Sequence, residues 1–141
     1  MTHVSSLTHA LSINPATGEQ IGQYPFESDS ALQATLTRAT SGFRGWRSKP
    51  VEQRAQLLIN LAQALRNSAT AMANMITLEM GKPIAQARGE VEKCAQLCEW
   101  YAEHGPAMLS PEPTQVEGGK ARIEYRPLGP ILAVMPWNFP I

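Results

Sequence analysis

The stretch that most constrains the fold lies near the end of the sequence, where the apolar residues 131–135 run directly into residues 136–140, Pro-Trp-Asn-Phe-Pro. A continuous apolar run predicts a strand buried on both faces, because such a strand has no polar side facing water. Functional groups in open α/β sheets collect just beyond the carboxyl ends of parallel strands. Asn138 follows the predicted strand at that kind of position.

Chemistry alone gives Asn138 two interpretations. Its side-chain amide can donate a hydrogen bond to a developing oxyanion, and one such donor lowers a barrier by about 3 kcal/mol. Alternatively, the side chain caps a following helix or closes an Asx turn, while Trp137 and Phe139 only pack against their neighbours. The residues around Asn138 leave both interpretations open.

Apolar residues at steps of three or four predict four helices before this stretch. The first begins near Ser28, with Ser30 and Gln33 as a capping box, and the fourth covers 84–104 and ends at Gly105-Pro106. The second begins around Pro50, and Gly81 terminates the third. The predicted apolar stripes are Leu32, Leu36, Ala39 and Phe43; Leu57, Leu58, Leu61 and Leu65; Met72, Met75, Ile76 and Met80; and Ile84, Ala87, Val91, Ala95, Cys98 and Ala102.

Two hairpins are also predicted. One surrounds the turn at 14–19, which Gly18 closes with a positive φ. The other has strands 114–117 and 121–126 around Gly118-Gly119. The four helices and two hairpins include no strand that could pair with a parallel strand at 131–135. We therefore expect the 141 residues to be the N-terminal part of a longer α/β protein.

Composition excludes several classes of function. Twelve Lys and Arg balance twelve Asp and Glu, so no net charge favours nucleic acid or anionic lipid. No segment approaches the ~20 apolar residues of a membrane helix, and the first ten residues lack the features of a secretory signal. With only two cysteines, a reduced cytoplasmic setting is expected.

Cys94 and Cys98 lie four residues apart on a predicted helix. They are either small thiols on an apolar stripe or functional groups, that is, a reactive thiol or half of a metal site. Zinc usually needs four ligands, and His3, His9 and His104 are scattered, so no metal site is expected.

Four ordered blocks resemble the aldehyde dehydrogenase superfamily over nearly the whole chain. These are residues 14–19 (NPATGE), 78–83 (LEMGKP), 126–130 (RPLGP) and 135–140 (MPWNFP). Residues 87–91 and 100–106 are most similar to the bacterial succinate-semialdehyde dehydrogenases. The resemblance implies helices that pack on a Rossmann-like sheet, with the first parallel strand at the C-terminal end and a protruding oligomerisation hairpin.

The resemblance also implies a chemistry, namely NAD(P)-dependent oxidation of an aldehyde, such as succinate semialdehyde, to a carboxylic acid. A cysteine thiolate attacks the carbonyl, and a glutamate-activated water hydrolyses the resulting thioester. By resemblance, Asn138 is the oxyanion donor and also borders the cofactor. The nicotinamide-ribose side of NAD or NADP is lined by Met135, Pro136 and Trp137. Phe139 faces the substrate. The nucleophile and the general base lie downstream in the family, so the 141 residues alone are expected to be inactive.

The same resemblance divides the chain into a helical part of the cofactor-binding domain (1–108), an oligomerisation hairpin (109–127) and the start of the cofactor-binding sheet (128–141). The hairpin is expected to pair with another subunit of a dimer or tetramer. Arg88 and Lys93 either attract a substrate carboxylate or are simply solvated. The alternatives to an enzyme are a truncated, non-catalytic binding or assembly subunit and a cofactor-binding module without chemistry.

Overall fold

The computed structural model describes residues 8–141, so His3 and most of the polar N-terminal segment lie outside the described part. No helix in that part is both long enough and apolar enough to cross a membrane. The elements are, in order, β1 (His9–Ile13), β2 (Gln20–Pro25), α1 (Asp29–Arg47), α2 (Val51–Asn67), α3 (Ala69–Met80), α4 (Ile84–Met108), β3 (Glu112–Val116) and β4 (Gly119–Ile123).

The N-terminal hairpin is confirmed. β1 pairs antiparallel with β2, and Gly18 has a φ of +76°, a conformation that favours glycine. The Asn14 N–H donates to the Glu19 carbonyl at 2.8 Å and thereby closes the turn. Ser12 Oγ then donates to Glu79 Oε1 at 2.8 Å, which ties the hairpin to the end of α3.

Helix α1 begins with a different cap from the one predicted. Ser28, not Ser30, is the N-cap, and its hydroxyl accepts the Ala31 N–H at 3.2 Å. Ser28 has the extended backbone that an N-cap requires, whereas Ser30 already lies in the first turn. Most of the predicted apolar stripe is exposed, since Leu32 and Leu36 are 53% and 52% accessible to solvent, whereas Phe43 is half-buried.

The core forms where α4 packs against α2 and α3. It is built from Ala73 and Ile76 of α3 and from Ala87 and Val91 of α4. Small alanines allow the helix backbones to approach closely, and the predicted stripe of α4 is confirmed at its buried positions, Ala87, Val91 and Ala95.

The predicted face of α2 is partly wrong. Leu57 and Leu61 are 44% and 47% exposed, while Ala62 is fully buried. The half-buried Leu58 and Leu65 lie on either side of Ala62. The face of α2 that packs is therefore centred on an alanine, because a small side chain fits best where two helices come closest.

Helix α4 does not end at Gly105-Pro106 as predicted but continues to Met108. A proline inside a helix removes one backbone donor. The neighbouring bonds remain, since the Leu109 N–H donates to the Gly105 carbonyl at 3.1 Å. Ser110 Oγ also donates to the Pro106 carbonyl at 3.0 Å, so the last turn is closed despite the proline.

The second hairpin is present with shifted boundaries. Val116 pairs with Gly119, so the turn consists of Glu117 and Gly118 and not of the two predicted glycines. Gly118 supplies the positive φ, at +75°. Every residue of β3 and β4 is exposed, and Tyr125 donates a hydrogen bond to the Glu112 carboxylate at the open end.

The predicted buried strand at 131–135 does not form within residues 8–141. No strand occurs between 128 and 141, and Ile131, Leu132 and Val134 are 89%, 89% and 86% exposed. A strand needs a neighbouring backbone for its hydrogen bonds. Both sheets within residues 8–141 are two-stranded hairpins, and neither lends an edge to this run.

Candidate functional site

Asn138 lies in a tight turn. The Phe139 N–H donates to the Pro136 carbonyl at 3.1 Å, which places Trp137 and Asn138 at the two central positions. Asn138 is exposed, and no hydrogen bond to its side-chain amide occurs within residues 8–141. In this part of the chain the amide therefore neither caps a helix nor closes an Asx turn.

The backbone of this turn is held by a buried ion pair. Lys82 follows Gly81, which ends α3 in the left-handed conformation with a φ of +74°. Glu90 lies on the packed face of α4, directly before Val91. The Lys82 ammonium contacts the Glu90 carboxylate, and the two side chains are only 9% and 5% exposed.

Four contacts join this pair and its helix to the turn. Lys82 Nζ donates to the Asn138 carbonyl at 2.7 Å and lies 4.2 Å from the centre of the Phe139 ring. The Ile141 N–H donates to Glu90 Oε1 at 3.3 Å. Cys94 Sγ lies 3.5 Å from the Ile141 carbonyl. The segment 138–141 is thus docked on α4 through both its backbone and a side chain.

A cleft of about 400 Å³ opens beside these contacts. Its walls combine two ammonium groups, one carboxylate, one thiol and one aromatic ring, contributed by Lys82, Lys93, Glu90, Cys94 and Phe139. The exposed Lys93 borders it, so of the two cations considered for a substrate carboxylate only this one reaches the cleft. Most of the cleft wall is apolar, as is usual for small-molecule sites.

The two cysteines are both free and half-buried. Burial, and secondarily the nearby Glu90 carboxylate, raises the pKa of the Cys94 thiol above its usual value. A raised pKa reduces the thiolate fraction at neutral pH, which is the opposite of what a nucleophilic cysteine needs. In the described part of the chain, no three His, Cys, Asp or Glu side chains are grouped to hold a metal ion.

The structure brings together only some of the predicted site residues. Asn138 and Phe139 share the contacts to Lys82. Met135 and Trp137 are 55% and 76% exposed and lie outside that cleft. Pro136 likewise does not line the cleft.

Sequence reasoning missed Lys82 and Glu90 as site residues. A signal for Glu90 was present, because it lies three residues after Ala87 and directly before Val91 on an otherwise apolar stripe. A carboxylate on a buried face needs a cationic or hydrogen-bonding partner. Lys82, between Gly81 and Pro83, was the nearest cation preceding the helix.

Comparisons with known proteins agree with this fold. The profile described as "Aldehyde dehydrogenase family" matches residues 3–141. The chain is 56% identical over 138 residues to the NAD(P)+ succinate semialdehyde dehydrogenase Sad of Escherichia coli (strain K12), covering 98% of this chain and 30% of that protein. It is 42% identical over 128 residues to a probable NADP(+) succinate-semialdehyde dehydrogenase of Synechocystis sp., covering 91% of this chain and 28% of that one.

Among solved structures, succinic semialdehyde dehydrogenase from Streptococcus pyogenes in complex with NADP+ superposes with a TM-score of 0.75 at 30% identity, covering 79% of this chain and 25% of that one. The chain thus spans less than a third of the length of each of these relatives. The profile match, the sequence identity and the shared fold agree, and the chain belongs to the aldehyde dehydrogenase family.

Proposed function

We propose that the protein to which these residues belong oxidises an aldehyde to a carboxylic acid with NAD or NADP, and that its substrate is succinate semialdehyde. The observation that carries the proposal is the 56% identity to the Escherichia coli succinate semialdehyde dehydrogenase, which extends over 138 residues and includes the Asn138 region. The geometry of Asn138 supports it, because an exposed amide on a held backbone can donate to a substrate oxygen.

In this proposal Asn138 stabilises the tetrahedral intermediate. A cysteine thiolate attacks the aldehyde carbon, the carbonyl π electrons move to oxygen, and the side-chain amide of Asn138 donates a hydrogen bond to that oxyanion. The donor works best when it is already oriented before the reaction. Pro136 and Pro140 on either side of the turn, and the contact from Lys82, restrict the backbone that carries it.

Our candidates for contact with the nicotinamide ribose are Met135, Pro136 and Trp137. Met135 and Trp137 present exposed apolar faces next to Asn138, which fits the planar, partly apolar end of such a cofactor. When bound, NAD or NADP supplies the hydride acceptor. Phe139, whose ring borders the cleft, is the candidate contact to substrate.

Neither cysteine of this chain serves as the nucleophile in our proposal. Cys94 has a raised pKa and a thiol directed at the Ile141 carbonyl, and Cys98 lies four residues further along the same helix. A polypeptide of only these 141 residues is therefore proposed to be inactive. Replacing Cys94 by Ser in the full-length protein should leave turnover unchanged.

We further propose the division into residues 1–108, 109–127 and 128–141, with the 109–127 hairpin pairing with another subunit of a homodimer or homotetramer. The exposure of every residue in β3 and β4 supports a partner there. The two unpaired thiols fit the reduced environment of the cytoplasm.

The deciding experiment is an assay of the purified full-length protein. Succinate semialdehyde and simple aliphatic aldehydes would each be offered with NAD+ and NADP+, and NADH and NADPH formation followed separately. We expect turnover that falls about 100-fold or more in Asn138→Ala with little change in cofactor affinity. A wild-type protein that oxidises no aldehyde but assembles through the hairpin would instead support the non-catalytic assembly subunit.

A further inference from the structure

The Lys82–Glu90 pair sits where it can control Asn138 without touching the reacting atoms. We propose that this pair is a positioning device that sets the location of the Asn138 amide, an inference that rests on the proposed role of Asn138 as oxyanion donor. Lys82 and Glu90 are positioning residues in this scheme, since every contact they make with the turn is to its backbone or to Phe139.

The hydrogen-bond partners of the Lys82 ammonium group support this role. Lys82 Nζ has three N–H donors. One is directed at Glu90 Oε2, one at the Asn138 carbonyl 2.7 Å away, and the face of the Phe139 ring lies 4.2 Å from the nitrogen. Two of the three partners belong to the turn. The buried ammonium is therefore fully partnered only while the turn is docked.

The carboxylate of Glu90 completes the arrangement from the other side. Its Oε2 accepts from Lys82, and its Oε1 accepts the Ile141 N–H at 3.3 Å. The pair therefore holds the chain on both sides of Pro140, at the carbonyl of Asn138 and at the N–H of Ile141. Since the ring of Pro140 limits the backbone between these points, the orientation of residue 138 follows from two fixed contacts.

A buried ion pair is a weak source of stability, because desolvation of the two charges offsets their attraction. Its geometric specificity is the stronger argument here. A misplacement of about 1 Å at a reacting group can cost about 100-fold in rate. A pair that fixes the backbone of the oxyanion donor therefore affects kcat more than it affects the binding of substrate or cofactor.

The test uses the full-length protein and a variant designed to fold. Lys82→Met alone leaves the Glu90 carboxylate buried and unpaired, so the main variant is Lys82→Met combined with Glu90→Gln, which removes both charges and keeps both shapes. Lys49→Met is the control, because Lys49 is exposed and lies outside this cleft. Circular dichroism and the oligomeric state would establish that each variant is folded.

We expect the double variant to lose about 10- to 100-fold in kcat, with KM for aldehyde and the Kd for the oxidised cofactor within about twofold of wild type. Lys49→Met should retain the wild-type kcat. In the Asn138→Ala background, adding Lys82→Met and Glu90→Gln should cost less than about twofold, because the group that they position is already gone.

Two results would overturn the inference. One is a folded double variant with wild-type kcat, and the other is an equal loss of kcat with and without the Asn138 side chain. Should Lys82→Met with Glu90→Gln fail to fold, Lys82→Arg and Glu90→Gln as single changes give the same comparison against Asn138→Ala. Failure of the proposed function is distinguishable, since the wild-type protein would then oxidise no aldehyde.

Discussion

Arg66 of α2 binds the Glu99 carboxylate of α4 through two nitrogens, Nη1 at 2.5 Å and Nη2 at 2.8 Å. The same guanidinium reaches Glu92, two helical turns earlier, with Nε at 3.1 Å and Nη2 at 3.0 Å. One side chain therefore links α2 to α4 at two points that lie two helical turns apart. The planar fork of an arginine suits this arrangement, whereas an ammonium group is a single point charge.

Replacing Arg66 should lower the thermal stability of the purified protein. We expect Arg66→Met to lower the Tm by a few degrees, and Arg66→Lys to recover less than half of the loss, because lysine cannot bind both carboxylates through two nitrogens each. Arg88→Met, which changes an exposed arginine of α4, is the control and should leave the Tm unchanged. Equal Tm values for Arg66→Lys and wild type would contradict this prediction.

The same cluster predicts an acid-sensitive contribution to stability. Hydrogen bonding from Arg66 lowers the pKa of both Glu92 and Glu99 below the usual 4.5. A lowered carboxylate pKa contributes stability that is fully present above 4.5 and is lost as the pH falls through the folded-state value. The Tm difference between wild type and Arg66→Met should therefore be constant from pH 7 to about pH 5 and shrink below 4.5. A difference that grows on acidification would show that other groups carry the effect.

Truncating the smaller side chain, Val91, should destabilise the protein more than truncating the larger one, Leu57. Val91 is 0% exposed and Leu57 is 44% exposed. We expect Val91→Ala to lower the free energy of unfolding by about 2 kcal/mol, because a cavity is left in a packed core. Leu57→Ala, the larger truncation, should cost about 0.5 kcal/mol or less. Denaturant unfolding monitored by circular dichroism would compare them. The packing described for α2 is wrong if Leu57→Ala proves the more damaging change.

Alanine substitutions at Gly81 and Gly42 should change the stability of the protein in opposite directions. Gly81 has a φ of +74°, and a Cβ there would lie 3.1 Å from Pro15 Cγ. Gly81→Ala should therefore destabilise the protein by about 1–2 kcal/mol. Gly42 lies within α1, and a Cβ there meets nothing within 4 Å. Gly42→Ala should stabilise by up to about 1 kcal/mol. Thermal unfolding of both variants would test the pair, and a stabilised Gly81→Ala would exclude the left-handed conformation.

The elements could be predicted from the sequence wherever a local rule decides them. The left-handed residues at Gly18 and Gly81 and the stripe at Ala87, Val91 and Ala95 were all readable from local periodicity and turn chemistry. The packed face of α2 was not, since hydrophobicity pointed to Leu57 while the approach of two helices selects Ala62. That choice depends on the partner helix.

The terminal run and the ion pair show a second limit of local patterns. Residues 131–135 carry the composition of a buried strand, but strand formation requires a neighbouring backbone that no local pattern reveals. The pairing of Lys82 with Glu90 and the turn is long-range as well, since Lys82 and Asn138 are 56 residues apart. Asn138 was singled out by its position after the apolar run, its role was assigned by resemblance, and its contact with Lys82 appears only in the structure.

Helix α4 continues through Pro106 and therefore links two distant parts of the chain. Glu90, near one end of this helix, holds the turn of Asn138, and Met108, at the other end, leads into the hairpin of β3 and β4. The eighteen residue steps from Glu90 to Met108 separate these two residues by about 27 Å along the helix. Because the helix continues through Pro106 without a break, the start of the hairpin and the contacts of Glu90 lie at a set distance from each other.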